Sequence, residues 1–363
     1  MKTRLLTSDA IAKLVALHGL DRLMDDLIAR FQEALIDFDE AAVFTPVRSG
    51  FSSAAGLLEW MPCRIEGRGS IMKMVGYHPS NPGLQALPTI LSSTLWFDAG
   101  SGHVLAIADA TFLTALRTGA ASAVASRVMA HPGSATLGII GCGAQSVTQV
   151  HALARAFPLE RVLAFDIQDA AAESLASRCS FLDLRFETVD AGGLDGLVDS
   201  VDILCTCTSS DPGNGPVFHD RSTLRPHLHI NAVGSDYPGK FEVPRSLLRR
   251  AVVVPDFSPQ AIVEGECQQL DPSEIGPSLA VIVRQPETWS HLQGKFSVFD
   301  STGWAYEDAI ALDLLLELSQ EYQTGSDVEL ACISADPRDP YGFLQSSLNH
   351  RKSSSSVHSQ APA

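Results

Sequence analysis

Residues Thr136 to Gln149 read TLGIIGCGAQSVTQ, and Asp166 closes the next apolar run, RVLAFD. A short, wholly apolar, β-rich segment that ends in glycines and continues at helical spacing predicts a buried parallel strand turning into a helix. Gly141 permits the tight turn. Gly143 leaves the backbone open to a pyrophosphate, and the following helix, which opens with Ala144 and Gln145, aims its first amides at phosphate oxygens. Ser146 stands where the fingerprint has its third glycine and is small enough to keep helix and strand close. The acid expected about 20–25 residues on, to accept ribose hydroxyls, is Asp166. Its carboxylate would repel a 2′-phosphate and no arginine follows it directly, so the pattern favours NAD over NADP.

The 363 residues are 45% hydrophobic, enough for two cores. A net charge of −16 without a basic stripe argues against a nucleic-acid partner. No apolar stretch reaches the roughly 18 residues that span a bilayer, and the N-terminus, MKTRLLTSDAIAKL, lacks a signal-peptide core. The seven cysteines (63, 142, 179, 205, 207, 267 and 332) are odd in number, scattered and free of any CxxC. A reduced, cytoplasmic setting is expected. Cys205 and Cys207 share a strand face in DILCTCT, a spacing that fits packing.

Ser8 caps a helix to about Leu17, and Leu20–Phe38 has amphipathic spacing. Between Val43 and Ala108 the period shifts toward two, which predicts antiparallel strands at PVRSGF, LLEWMPC, SIMKMVGY, PTILSSTLWFD and HVLAIAD. Ala110–His131 reads as an Ala-rich helix. Strands near 136–141, 161–166, 185–189, 201–206, 227–233 and 251–255 then alternate with helical patterns, the signature of a doubly wound α/β unit. The helix pattern Tyr306–Gln323 would leave that unit and return to the N-terminal sheet. The expected fold class is α/β: a Rossmann-type doubly wound NAD domain over 121–305, and a split α+β substrate domain from 1–120 with 306–345. The Ser-rich tail 346–363 is expected to be disordered.

Charged residues stranded among apolar ones mark a second constellation: Arg48, Glu59, Lys73 and Arg117. A buried charge must be paired or must meet a ligand charge. Three cations and one acid could receive an amino acid, the cations taking its carboxylate and Glu59 its ammonium. HLHINAVGSDYPGK runs a strand into a Gly-rich turn that carries Asp236 and Lys240. At a strand's carboxyl end, Asp236 is placed for acid–base work beside the cofactor. His227 and His229 share a strand face there. No third ligand has suitable spacing, so core histidines are expected and no metal. In VFDSTGWAYEDA, Ser301 and Thr302 could offer hydroxyls to nucleotide or substrate, or cap the next helix.

Together LEWMP, IMKMVGYHPSNP, LTALRTGAASAVAS, GIIGCGAQSVTQ, HINAVGSDYPGK, EGECQQL and VFDSTGWAYEDA resemble the ornithine cyclodeaminase and mu-crystallin family, from about Met1 to Phe343. GYHPSNP, HINAVGSD and EGECQQL resemble its lysine cyclodeaminase branch, whose members supply pipecolate for natural-product assembly. The resemblance implies that Arg48, Lys73 and Arg117 hold the substrate carboxylate, that Glu59 contacts an amino group and that Thr302 lines the substrate site. It implies Asp236 as the acid–base residue. It implies contacts to NAD from Thr89, Arg117, Gly141, Gly143, Ala144, Gln145, Asp166, Thr206, Val233, Gly234, Ser235, Lys240 and Ser301, with Thr208 an equal match to Thr206. It further implies a homodimer formed through the substrate-domain sheet, and conversion of L-lysine to L-pipecolate and ammonia by transient α-oxidation, ring closure and re-reduction, with ornithine to proline as a side or main activity. Two alternatives stay open. One is a ketimine or imino-acid reductase or amino-acid dehydrogenase with net redox turnover. The other is a mu-crystallin-like protein that holds a nucleotide and a small ligand.

Overall fold

A computed structural model describes residues 1–344; the tail expected to be disordered lies outside them. Two sheets organise the chain. The first has eight strands, and its central path runs Ser326–Val328, Thr3–Leu6, Val104–Asp109, Ile90–Phe97, Gly69–Tyr77, Gly56–Ile65, Val43–Phe44, with Ser49–Ser53 also paired to Gly56–Ile65. The strands between Val43 and Asp109 pair antiparallel throughout, as expected. Thr3–Leu6 lies parallel to Val104–Asp109, and both Thr3–Leu6 and Ser326–Val328 were absent from the periodicity reading. PVRSGF is not one strand either: Pro46, which has no N–H for a ladder, separates Val43–Phe44 from Ser49–Ser53, and Arg48 sits in the gap.

The second sheet is wholly parallel, in the order Arg185–Thr188, Arg161–Phe165, Thr136–Ile140, Ile203–Thr206, His229–Ala232, Ser297–Asp300, Val252–Pro255. Chain order reverses between Thr136–Ile140 and Ile203–Thr206, so a crevice opens outside the carboxyl ends of these strands. Gly141 stands at its mouth. Its φ is +90°, and an added Cβ would come within 2.7 Å of the Cys207 carbonyl, so only glycine fits the turn.

Two helices join the layers. Thr111–Met129 is buried nearly all round, which is why its sequence is mostly Ala, Ser, Thr and Val with little periodicity. Ala305–Glu321 returns from the parallel sheet and shares one core with the helix Leu20–Ile36, with Met61, Ile71 and Trp96 of the first sheet and with Thr111–Met129. All seven cysteines are free, and only Cys332 is exposed. Among the described residues no helix is long and apolar enough to cross a membrane.

Candidate active site

Alternation along Gly69–Tyr77 puts Ile71, Lys73 and Val75 on the buried face and Met74 outside. In the neighbouring strand, Met61 pairs with Lys73 and Glu59 with Val75, so Glu59 shares that face. Arg117 projects from Thr111–Met129. Val233 and Asp236 follow the strand His229–Ala232, Ser301 and Thr302 follow Ser297–Asp300, and Gln145 is the second residue of the helix Ala144–Ala156. Glu59, Lys73, Arg117, Gln145, Val233, Asp236, Ser301 and Thr302, with Arg48, line one cavity of about 80 Å³ where the two sheets meet. A second cavity of about 330 Å³ shares Glu59, Tyr77 and Asp236 with it and adds Lys240 and the turn Ser52–Leu57. A larger one of about 540 Å³, beside the helix Ser8–His18, carries none of the candidate residues.

Each cation has an internal carboxylate. Lys73 Nζ lies 2.9 Å from Asp308 Oδ1, and Arg117 donates to the same oxygen through Nε at 3.1 Å and to Glu307 Oε2 through Nη1 at 3.1 Å. Arg48 donates to Glu264 Oε1 at 2.6 Å and to the Thr302 carbonyl, and lies 3.7 Å from Glu59. Lys240 Nζ sits 2.9 Å from Asp236 Oδ1 and 5.4 Å from the centre of the Tyr77 ring. Sequence reasoning found the cations and missed Glu264, Glu307 and Asp308. The signal was present in part: Glu307 and Asp308 are the only charges in the first two turns of an apolar helix, yet acids at a helix start read as dipole partners.

Burial sets the protonation of this cluster. It lowers Lys73 to about 8 against the pull of Asp308, and raises Glu264 to about 7 against that of Arg48. It raises Glu307 to about 8. Burial would raise Asp308 as well, but Arg117 and Lys73 on one oxygen outweigh it and hold Asp308 below its ordinary value. Burial also lifts Glu59, opposed by Arg48. For Lys240, burial is outweighed by Asp236, and its pKa rises.

The crevice next to this cavity fits a dinucleotide. A Cβ at Gly143 would meet nothing within 4 Å, and the helix Ala144–Ala156 has no side-chain cap on its first amides. Asp166 accepts from the amides of Cys142 at 2.7 Å and Gln168 at 2.8 Å, which pins it beside the turn. Arg178 is not free to pair with an added phosphate, because it donates to the carbonyls of Cys142 and Gly143. The Ser301 hydroxyl is buried with no hydrogen-bond partner among the described residues.

Other expected contacts sit differently. The Thr206 and Thr208 hydroxyls both donate to Glu242 at 2.7 Å, and Thr206 is fully buried. Ser235 donates to the Lys240 carbonyl, and Gly234 donates its amide to Glu242. Thr302 donates to Asp256 at 2.9 Å. Thr89 precedes the strand Ile90–Phe97 and its carbonyl accepts from His78; it does not line the 80 Å³ cavity. The shared strand face of His227 and His229 is corrected: His227 lies in a turn before the strand and approaches Asp202, while His229 is buried between Ser126 and Ser297, where burial lowers it to about 3 and keeps it neutral.

The crevice and the charged cavity define an α/β protein with a cleft that fits a dinucleotide beside a small cavity lined by charged side chains. Residues 9–322 match the ornithine cyclodeaminase/mu-crystallin family, and the chain belongs to it. An L-lysine cyclodeaminase of Streptomyces rapamycinicus is 42% identical over 347 residues, covering 94% of this chain and 100% of that protein. A solved lysine cyclodeaminase, studied for recognition of L-lysine, L-ornithine and L-2,4-diaminobutyric acid, matches with a TM-score of 0.90 and 43% identity over 94% of this chain and 100% of its own. An archaeal alanine dehydrogenase dimer with bound NAD matches with a TM-score of 0.77 and 27% identity over 91% of this chain and 100% of its own.

Proposed function

We propose that this chain is an NAD-dependent cyclodeaminase that converts L-lysine to L-pipecolate and ammonia. The observation that carries this reading is the polarity of one small cavity: Arg48, Lys73 and Arg117 converge in it with Glu59 and Asp236. That arrangement suits a ligand with one carboxylate and two amines. The cations hold the carboxylate, Glu59 faces an ammonium, and Asp236 takes the proton that the terminal ammonium must lose before it can attack the α-carbon. Gly143, Ala144, Gln145, Asp166 and Ser301 would hold NAD, which would supply reversible hydride transfer with the substrate, so that turnover would carry no net redox change. Lys240, with its Nζ 2.9 Å from Asp236 Oδ1, keeps Asp236 oriented. Of the described residues, 1–120 with 306–344 form the substrate domain and 121–305 the nucleotide domain.

Incubation with L-lysine and with L-ornithine, followed by assay of ammonia and cyclic product, tests the reading. Both should react with catalytic NAD, and lysine with the higher kcat/KM. One methylene is worth only about 1–3 kcal/mol in a pocket, so cross-reaction is expected. A preference for ornithine would overturn the substrate assignment alone. NADH accumulating in step with ammonia would point instead to an amino-acid dehydrogenase.

Asp166 gives a second expectation. Calorimetry should show NAD bound far more tightly than NADP, and Asp166→Ala should narrow the gap without inverting it, because Arg178 stays on the turn carbonyls. Equal affinities in the unaltered protein would refute this.

The chain forms a homodimer through the outer face of the first sheet. Phe51 (72% exposed), Leu58 (48%), Met74 (38%) and Leu91 (42%) stand there on adjacent strands. Contiguous apolar surface of this kind marks an interface. Light scattering should give twice the chain mass, and Leu58→Glu with Met74→Lys should give the single mass. A monomeric unaltered protein would rule the interface out.

A further inference from the structure

Three fully buried acids outside the cavity, Asp300, Glu266 and Glu242, form a series. Asp300 ends the strand Ser297–Asp300, and its two oxygens accept the amides of Glu266 and Cys267, each at 2.8 Å. Glu266 accepts the amides of Glu242 at 2.7 Å and Val243 at 3.3 Å, with Gln269 Nε2 also donating at 2.7 Å. Glu242 accepts the amides of Thr208 and Gly234 and the hydroxyls of Thr206 and Thr208, all at 2.7 Å. Asp300 and Glu266 each take a pair of backbone amides from the next loop along the carboxyl edge of the parallel sheet, and Glu242 takes one from the loop after Ile203–Thr206 and one from its own loop after His229–Ala232.

The backbone is shaped to admit these carboxylates. A Cβ on Gly265 or Gly234 would come within 2.4 Å of the Asp300 or Glu242 carboxylate. Backbone N–H groups can only donate, so the geometry requires acceptor oxygens at every step. Burial pushes all three acids up, Asp300 to about 7, and the amide bonds oppose it. Buried carboxylates are costly, and apolar packing would serve stability as well. Their placement is what needs explaining. Asp300 adjoins Ser301, Glu266 lies two residues beyond Glu264, and Glu242 lies two beyond Lys240. Gly234, clamped by Glu242, lies two before Asp236.

Resting on the proposed NAD-dependent reading, we infer that Asp300, Glu266 and Glu242 are positioning residues that set the mutual register of the loops carrying Ser301, Glu264, Lys240 and Asp236. Glu242 is the member that ties the loop after Ile203–Thr206 to the loop after His229–Ala232. Glu242→Gln keeps the size but presents an amide nitrogen to two of its four donors.

The test compares Glu242→Gln with Asp202→Asn. Asp202 is a matched control: it is 8% exposed and accepts the amides of Ala135 and Thr136 at 3.0 Å, at the opposite end of the same sheet. Thermal unfolding, NAD affinity by calorimetry and the kcat–KM split on L-lysine are measured for the unaltered protein and both variants. Glu242→Gln should weaken NAD binding by about 10- to 100-fold and lower kcat, while Asp202→Asn changes both less than about threefold at a comparable loss of Tm. Equal functional loss per degree of Tm in the two variants, or unaltered NAD affinity and kcat in Glu242→Gln, would overturn the inference. If Glu242→Gln does not fold, Gln269→Met, which removes one donor to Glu266 from a half-buried site, is judged against the same control and should raise the NAD Kd by about two- to fivefold; an unchanged Kd overturns the inference. Failure of the unaltered protein to bind NAD would instead count against the reading on which the inference rests.

Discussion

Asp236→Asn should lower turnover on L-lysine by about 10²- to 10⁴-fold while NAD affinity changes little, the range that general acid–base residues contribute. The substrate's terminal ammonium has a free pKa near 10 and cannot attack while protonated. Asp236 is the cavity carboxylate best placed to receive that proton. It follows the strand His229–Ala232 at the carboxyl edge of the parallel sheet, a third of its side chain is open to solvent, and Lys240 holds one of its oxygens at 2.9 Å. That leaves the second oxygen for substrate. Asn keeps the volume and most hydrogen bonds but accepts no proton. Near-normal turnover in Asp236→Asn would move the base to Glu59, to Glu264 or to water. Loss of NAD binding in the same variant would make Asp236 structural.

Much of the parallel sheet was legible because strands such as Thr136–Ile140, Arg161–Phe165 and Val252–Pro255 are short, largely apolar runs bounded by polar turns, and the glycine turn with Asp166 places the crevice. The strand ends agree with the expected ones to a residue or two: 136–141 became Thr136–Ile140, and 161–166 became Arg161–Phe165. What periodicity could not show was pairing at long range. Thr3–Leu6 has four residues and takes its neighbours from positions about 100 and 320 residues away, so nothing local distinguishes it from a helix approach. The site was half legible for the same reason. A lysine between two methionines is a visible anomaly, and burying charge without a partner is forbidden, so a partner had to exist. That the partner is Asp308, 235 residues on, follows only from the return of the helix Ala305–Glu321 to the first sheet. Glu242 was silent because KFEVP reads as an ordinary loop; its role lies in which amides the fold brings to it.

The pairing of Arg117 yields the other large effect. Arg117→Met should destabilise the protein by about 3–5 kcal/mol, the usual result of stripping one partner from a buried ion pair. Among the described residues Glu307 pairs with no cation but Arg117, whereas Asp308 would keep Lys73 at 2.9 Å. The double variant Arg117→Met with Glu307→Gln should therefore recover most of the lost stability in thermal unfolding. Activity should not follow. A buried charged contact to a ligand carboxylate is worth about 2–5 kcal/mol, so kcat/KM should stay down by roughly 30- to 5,000-fold in both variants. Lys73 cannot substitute, since it is a compact point charge already committed to Asp308, whereas the planar guanidinium bridges Asp308 and Glu307 and still lines the cavity. If the double variant regained activity along with stability, Arg117 would be a structural cation only, and the carboxylate would belong to Arg48 and Lys73. If the single variant lost no stability, Arg117 would not be balancing a buried charge at Asp308, and the charge balance assigned to this cavity would fail with it.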